Sequence, residues 1–179
     1  VYNTDNSELP DNLVLALATD KRGNVWIGTN GGLAEFDGAN WTVYNTDNSG
    51  LPDDHIYSLA IEAQGEIWIG TGSGLVRFDG TDWTVYTADN SGLPGNQVFA
   101  IAMDSQRNIW IGTGDGLAKF DRVNWTVYNT DNSGLLNNHV LTVVVDKEDN
   151  IWLGTHKDFG LTRFDGINWK VYDVMTVSY

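Results

Sequence analysis

Short apolar runs alternate along the chain with clusters of Gly, Asn, Asp, Ser and Pro, and the alternation recurs with a fixed step. Trp26, Trp68, Trp110 and Trp152 stand 42 residues apart. Trp41, Trp83 and Trp125 keep the same step, and Trp169 follows at 44 because two residues are inserted before it. Tyr44, Tyr86, Tyr128 and Tyr172 repeat the pattern, and Tyr2 continues it backwards. A period of this size marks a repeat architecture and governs the reading of every motif inside it.

No stretch within a repeat sustains the 3.6-residue period of a helix; the pattern is one of short strands parted by turns. The first predicted strand is "IYSLAIE", matched by "VFAIAMD" and "VLTVVVD". Its near-continuous apolar character predicts an innermost strand buried on both faces. A turn such as "DKRGN" leads to the second, "VWIGT" or "IWIGT", and a glycine-rich turn to the third, "GLAEFD" or "GLAKFD". Asp37-Gly38, Asp79-Gly80 and Asp165-Gly166 supply a hairpin turn before the fourth strand, "WTVY", and Arg122 departs from that rule once. The loop "NTDNSGLPDD" then carries the chain onward.

Four antiparallel strands per repeat predict an all-β fold, a β-propeller of four four-stranded blades at roughly 3–44, 45–86, 87–128 and 129–172, with 173–179 as an extra strand or tail. The blades form either a closed four-bladed ring or an arc completed by another chain or by further repeats. Faces that pack blade on blade need apolar residues on both sides of each strand. All eight Trp (Trp26, Trp41, Trp68, Trp83, Trp110, Trp125, Trp152 and Trp169) are therefore read as packing elements. Each removes about 200 Å² from water, on the order of 5 kcal/mol before entropy is counted.

The repeated residues "D-x-x-G-N-I-W-I-G-T-x-x-G-L-A-x-F-D" resemble the repeat of the two-component regulator propeller family, four times over. The resemblance implies an extracellular or periplasmic, sensor-like propeller that binds polysaccharide-derived ligands. Such propellers are commonly placed ahead of a histidine kinase; with four repeats and no kinase segment, no signalling output is expected within this chain. Related propellers include streptogramin-lyase-like enzymes, but no lyase motif is found here.

Charge narrows the partners. A formal charge of −14 over 179 residues repels phosphate backbones and anionic headgroups, which argues against nucleic acid. No apolar run approaches the ~18 residues of a membrane-spanning helix, so no membrane insertion is expected. Cysteine is absent, which removes disulfides and thiolate metal sites. Glycans, peptides and proteins remain as ligands.

The glycines of "NIWIGTGDGL" alternate as a phosphate loop's glycines do, but no helix follows to receive a phosphate, so they are assigned to the turn between second and third strands. No cofactor is expected. The fourth copy, "GTHKDFGL", breaks the array and brings together His156, Lys157, Asp158 and Phe159, the candidate binding loop. Asp47, Asp89 and Asp131, with Asp5, are expected on one rim. Their carboxylates suit calcium, but the spacing lacks the pattern of an EF-hand, and turn capping is the reading preferred. His55 and His139 share a repeat position, two blades apart, and are read as exposed strand ends rather than a metal pair. Asn40-Trp41-Thr42 and Asn124-Trp125-Thr126 are N-glycosylation sequons.

No nucleophile stands beside a base in the sequence, and no catalytic residue is assigned. Three readings follow: a non-catalytic binding propeller; a structural module that assembles through blade edges, its tail included, into a dimeric ring or filament; and, ranked last, a lyase-like enzyme.

Overall fold

The computed structural model describes residues 1–156 and 160–172. The fold is all-β: among the described residues there is no helix. Blade 1 comprises β1 (Val14–Thr19), β2 (Val25–Thr29), β3 (Gly32–Phe36) and β4 (Trp41–Tyr44). Blade 2 comprises β5 (Ile56–Ile61), β6 (Ile67–Thr71), β7 (Gly74–Phe78) and β8 (Trp83–Tyr86). In blade 3 these are β9 (Val98–Met103), β10 (Ile109–Thr113), β11 (Gly116–Phe120) and β12 (Trp125–Tyr128), and in blade 4 β13 (Val140–Val145), β14 (Ile151–Thr155), β15 (Leu161–Phe164) and β16 (Trp169–Tyr172). Each sheet is an antiparallel meander in chain order. The first strands of successive blades run beside one another, β1 by β5, β5 by β9 and β9 by β13. The expected tail at 173–179 lies outside the described residues.

Two expectations need correction. The innermost strand is not the most buried one: β6 and β10 are buried throughout, whereas β5 and β9 are largely half-buried. The second strand is covered by a blade on either side, while the first borders the centre, where less protein covers it. Exposure is greater still on the terminal blades, where Leu15 and Leu17 of β1 and Val144 of β13 face solvent. The second correction concerns "NIWIGTGDGL". Only Gly114 and Asp115 form the turn; Gly112 lies within β10, paired with Leu117, and Gly116 opens β11, paired with Thr113. The buried Thr113 hydroxyl closes this hairpin, donating to the Gly116 carbonyl at 2.9 Å and accepting from the Asp115 amide at 3.1 Å. Gly112 serves a different end. A Cβ there would lie 2.9 Å from both the carbonyl oxygen and a methyl of Val140 in the next blade.

Aromatic rings fasten the seams between blades. Trp68, fully buried, stacks on Tyr86 of its own blade at 6.0 Å and meets Phe120 of the next edge-on at 6.2 Å. Phe120 in turn stacks on Trp125 at 4.4 Å, which touches Tyr86 across the seam at 5.8 Å. The same quartet recurs as Trp26, Tyr44, Phe78 and Trp83, and as Trp110, Tyr128, Phe164 and Trp169. Trp41 packs on Phe36 at 4.7 Å, and Tyr2 closes on both rings at 5.5 Å, taking the place that Tyr44 takes before blade 2. Trp152 stacks on Tyr172 and stays half-buried.

Candidate functional site

The hairpin turns between second and third strands and the loops that enter each blade lie at one end of the molecule. Asp53 of the entering loop accepts a hydrogen bond from Ser73 of the turn at 2.8 Å, and the Gly72 amide donates to the His55 carbonyl. The loops hold themselves: Asn45 Oδ1 accepts from the amides of Asp47 and Asn48, Ser49 donates to the Asn45 carbonyl, and Leu51 is buried beneath. Asn129, Ser133 and Leu135 repeat this before blade 4. Asp5, Asp47, Asp89 and Asp131 are exposed, each on a separate loop. Among the described residues no group of three or more metal-ligating side chains gathers.

Each first strand carries a bulge near its start, recorded as a register shift between Ile56 and Ser58 in blade 2 and at the matching point of the other blades. Bulges re-aim side chains. The residues concerned are Leu15, Tyr57, Phe99 and Leu141. Tyr57 lies 5.4 Å from Phe99 across the seam between blades 2 and 3. Phe99 stacks on His139 of blade 4 at 4.8 Å, nearly parallel, and His139 meets His156 at 5.2 Å. His55 extends the row behind Tyr57 at 6.4 Å. Five rings thus cross three blades, half-buried in the middle and exposed at the His55 and His156 ends.

His55 and His139 are not brought together, but His139 and His156 are. Lys157, Asp158 and Phe159 lie outside the described residues. Tyr57 and Phe99 were missed in the sequence. Their signal is that this repeat position holds Leu in the first and last copies and an aromatic residue in the middle two, while the Trp and Phe positions hold fixed.

Asp53 orients one end of the row. Its Oδ1 faces His55 Nδ1 at 2.8 Å and its Oδ2 accepts from Ser73. Burial would raise the Asp53 carboxyl, but the His55 amide and ring and the Ser73 hydroxyl outweigh it and hold the group below the usual carboxylate range. Ser, Asp and His are the components of a hydrolase triad, yet the carboxylate stands between hydroxyl and imidazole. In a triad the imidazole must touch the hydroxyl to take its proton. The set orients a ring and does not activate an oxygen.

The sequons sit at the opposite end. Asn40 and Asn124 are exposed in the turns before β4 and β12, their amides bonded to Asp37 at 3.0 Å and Asp121 at 3.3 Å. The same end carries the one buried charge cluster found among the described residues. Glu62 Oε1 accepts from Trp68 Nε1 at 2.8 Å and from Arg122 at 2.5 Å, and Oε2 accepts from Arg107 at 2.5 Å. Burial would raise the Glu62 carboxyl, but these three donors outweigh it and hold it at about 2. Arg107 and Arg122 occupy glycine positions of the repeat and keep the glycine conformation, at φ 68° and 81°.

Four antiparallel four-stranded blades, with a row of rings at one mouth, define the class as a β-propeller. A family model described as two component regulator propeller matches residues 8–31, 50–73, 92–115 and 134–157, and the chain belongs to that family. No curated protein sequence matches it. Among solved structures it resembles the extracellular domain of the hybrid two component system BT3049 from B. thetaiotaomicron, at 27% identity and a TM-score of 0.81, over 92% of this chain and 23% of that one. The extracellular domain of BT4673 from the same organism matches at 23% identity and 0.74, over 89% and 21%. Virginiamycin B lyase from Staphylococcus aureus shares the fold at 16% identity and 0.72, over 92% and 56%. The chain therefore spans less than a quarter of those two extracellular domains.

Proposed function

We propose that this chain is a non-catalytic, extracellular recognition propeller that binds a neutral, polysaccharide-derived oligosaccharide across the row Tyr57, Phe99, His139 and His156. The row is the observation that carries the reading. Flat apolar ring faces suit the C–H faces of sugar rings, and the Asn, Asp and Ser side chains of the surrounding loops supply partners for hydroxyl groups. The net negative charge disfavours an anionic glycan. The extracellular assignment is supported by the likeness to the BT3049 domain. Calorimetric titration with a panel of neutral oligosaccharides tests it. Binding that weakens about tenfold in Tyr57→Ala and in Phe99→Ala, with the fold intact by circular dichroism, is expected. Oligosaccharide binding that both variants leave unchanged, or a panel with no binder at millimolar concentration, overturns it.

A second reading rests on the uncovered terminal blades. Leu17 is 67% exposed and Val144 59%, on faces whose equivalents inside the molecule meet another blade. Head-to-tail association of chains through these faces predicts a mass that rises with concentration and returns to the monomer's in Leu17→Lys.

A further inference from the structure

The seams between blades differ at the end opposite the ring row. Between blades 2 and 3 the guanidinium of Arg122 lies 5.2 Å from the centre of the Trp68 ring and pairs with Glu62 and Glu66, and Arg107 reaches the same Glu62. Between blades 1 and 2 the repeat places Gly80 where Arg122 stands and Gly65 where Arg107 stands. Both glycines share the left-handed backbone of those arginines, at φ 98°. The room that two arginine side chains take at one seam is open at the other, as a cleft of about 390 Å³. Trp26 forms its wall, in the place of Trp68, and Asp20, Glu35 and Asp79 also line it. Lys21 and Arg22 stand at its exposed edge.

A second observation points to an absent group. Trp26 is 4% exposed, and its Nε1 has no hydrogen-bond partner. The indoles of Trp68, Trp110 and Trp152 donate to Glu62, Asp104 and Asp146. Asp20, the matching residue, spends Oδ1 on the amides of Arg22 and Asn24. A buried, unsatisfied donor is costly. The side-chain amides of Asn108 and Asn150 bond Asp104 and Asp146 beside their indoles, whereas the matching amide of Asn24 donates to Glu35 at 2.7 Å and leaves Asp20 Oδ2 unheld.

We infer that the cleft between blades 1 and 2 is a binding site for a guanidinium group, an arginine side chain, which lies over the Trp26 ring and bridges Asp20 and Glu35 as Arg122 lies over Trp68 and bridges Glu62 and Glu66. A planar cation is favoured there by the indole face and by paired carboxylates. The bridge turns Asp20 into the acceptor that Trp26 Nε1 lacks.

The test follows the Trp indole N–H resonances of the ¹⁵N-labelled chain during titration with N-acetyl-arginine amide, free arginine and N-acetyl-lysine amide. The Trp26 resonance is expected to move with either arginine compound and to need at least about tenfold more of the lysine compound. Capped arginine acting as well as free arginine identifies a side chain borne by a partner protein, and free arginine acting alone identifies the amino acid as ligand. Gly80→Arg, with the conformation Arg122 already tolerates, is expected to fill the cleft and abolish the response. Arg122→Gly is expected to open a second site that moves Trp68. Near-ultraviolet circular dichroism confirms that both variants fold. A Trp26 resonance indifferent to arginine, an equal response to lysine, or a response that survives Gly80→Arg overturns the inference.

Discussion

A Cβ on Gly112 would stand 2.9 Å from the carbonyl oxygen of Val140, across the seam between blades 3 and 4. Backbone meets backbone here with no room for a methyl group, and the neighbouring atom is one that cannot rotate away. Gly70 stands to Val98 in the same relation, at 2.7 Å, and Gly28 approaches Ile56. The "G" of each "WIGT" is therefore what lets one blade settle on the next, and the buried Trp beside it can reach its partner ring only at that separation.

Gly112→Ala and Gly114→Ala, two residues apart, should consequently behave as opposites. Gly112→Ala forces the seam apart and is expected to cost about 2–4 kcal/mol. At Gly114 the nearest atom to an added Cβ is 3.7 Å away and the backbone is not left-handed, so Gly114→Ala should fall within about 0.5 kcal/mol of the parent. Urea denaturation of the two variants measures both, and an equal loss in each would contradict the assignment of Gly112 to the seam.

The Trp residues at this strand position should also part company by blade. Trp68 is fully enclosed between Tyr86 and Phe120, so Trp68→Ala is expected to cost about 3–5 kcal/mol. Trp152 stacks only on Tyr172 of its own blade and is half-buried, so Trp152→Ala should cost about half as much. Melting of the two variants in dilute solution checks the order. Near-equal losses would mean that the outer face of blade 4 is covered in solution, as head-to-tail association requires.

The strands and the pairing of rings were legible because the repeat prints the same pattern four times. A Trp at every second strand and a Tyr at every fourth can satisfy only one packing scheme. What the pattern obscured is whatever depends on position within the array. The first strand reads as apolar in every copy, yet its burial falls from β5 to β1 and β13 because the terminal blades have one neighbour, which no local sequence records. The ring row escaped for a related reason. Tyr57, Phe99 and His139 belong to different repeats and meet only when the bulges turn them to one mouth. Arg122 was visible as a broken turn rule, but its meeting with Glu62, sixty residues earlier, was not.

That meeting sets the pH response of the fold. The Glu62 carboxyl, ordinarily near 4.5, is held at about 2 in the folded chain by Trp68, Arg107 and Arg122, against the opposing effect of burial. Because the folded value lies below the unfolded one, the stabilisation is complete above about pH 4.5. It shrinks as pH falls toward about 2, where the folded carboxyl itself takes up a proton. Glu62→Gln keeps the side-chain shape but leaves Arg107 and Arg122 without their shared anion. It should cost about 2–3 kcal/mol at neutral pH and progressively less through that acidic window. Stability of parent and variant measured by urea from pH 7 to pH 2 decides the matter: two curves that converge on acidification are expected, and a gap that stays constant would show that the lost interaction is one of packing rather than charge.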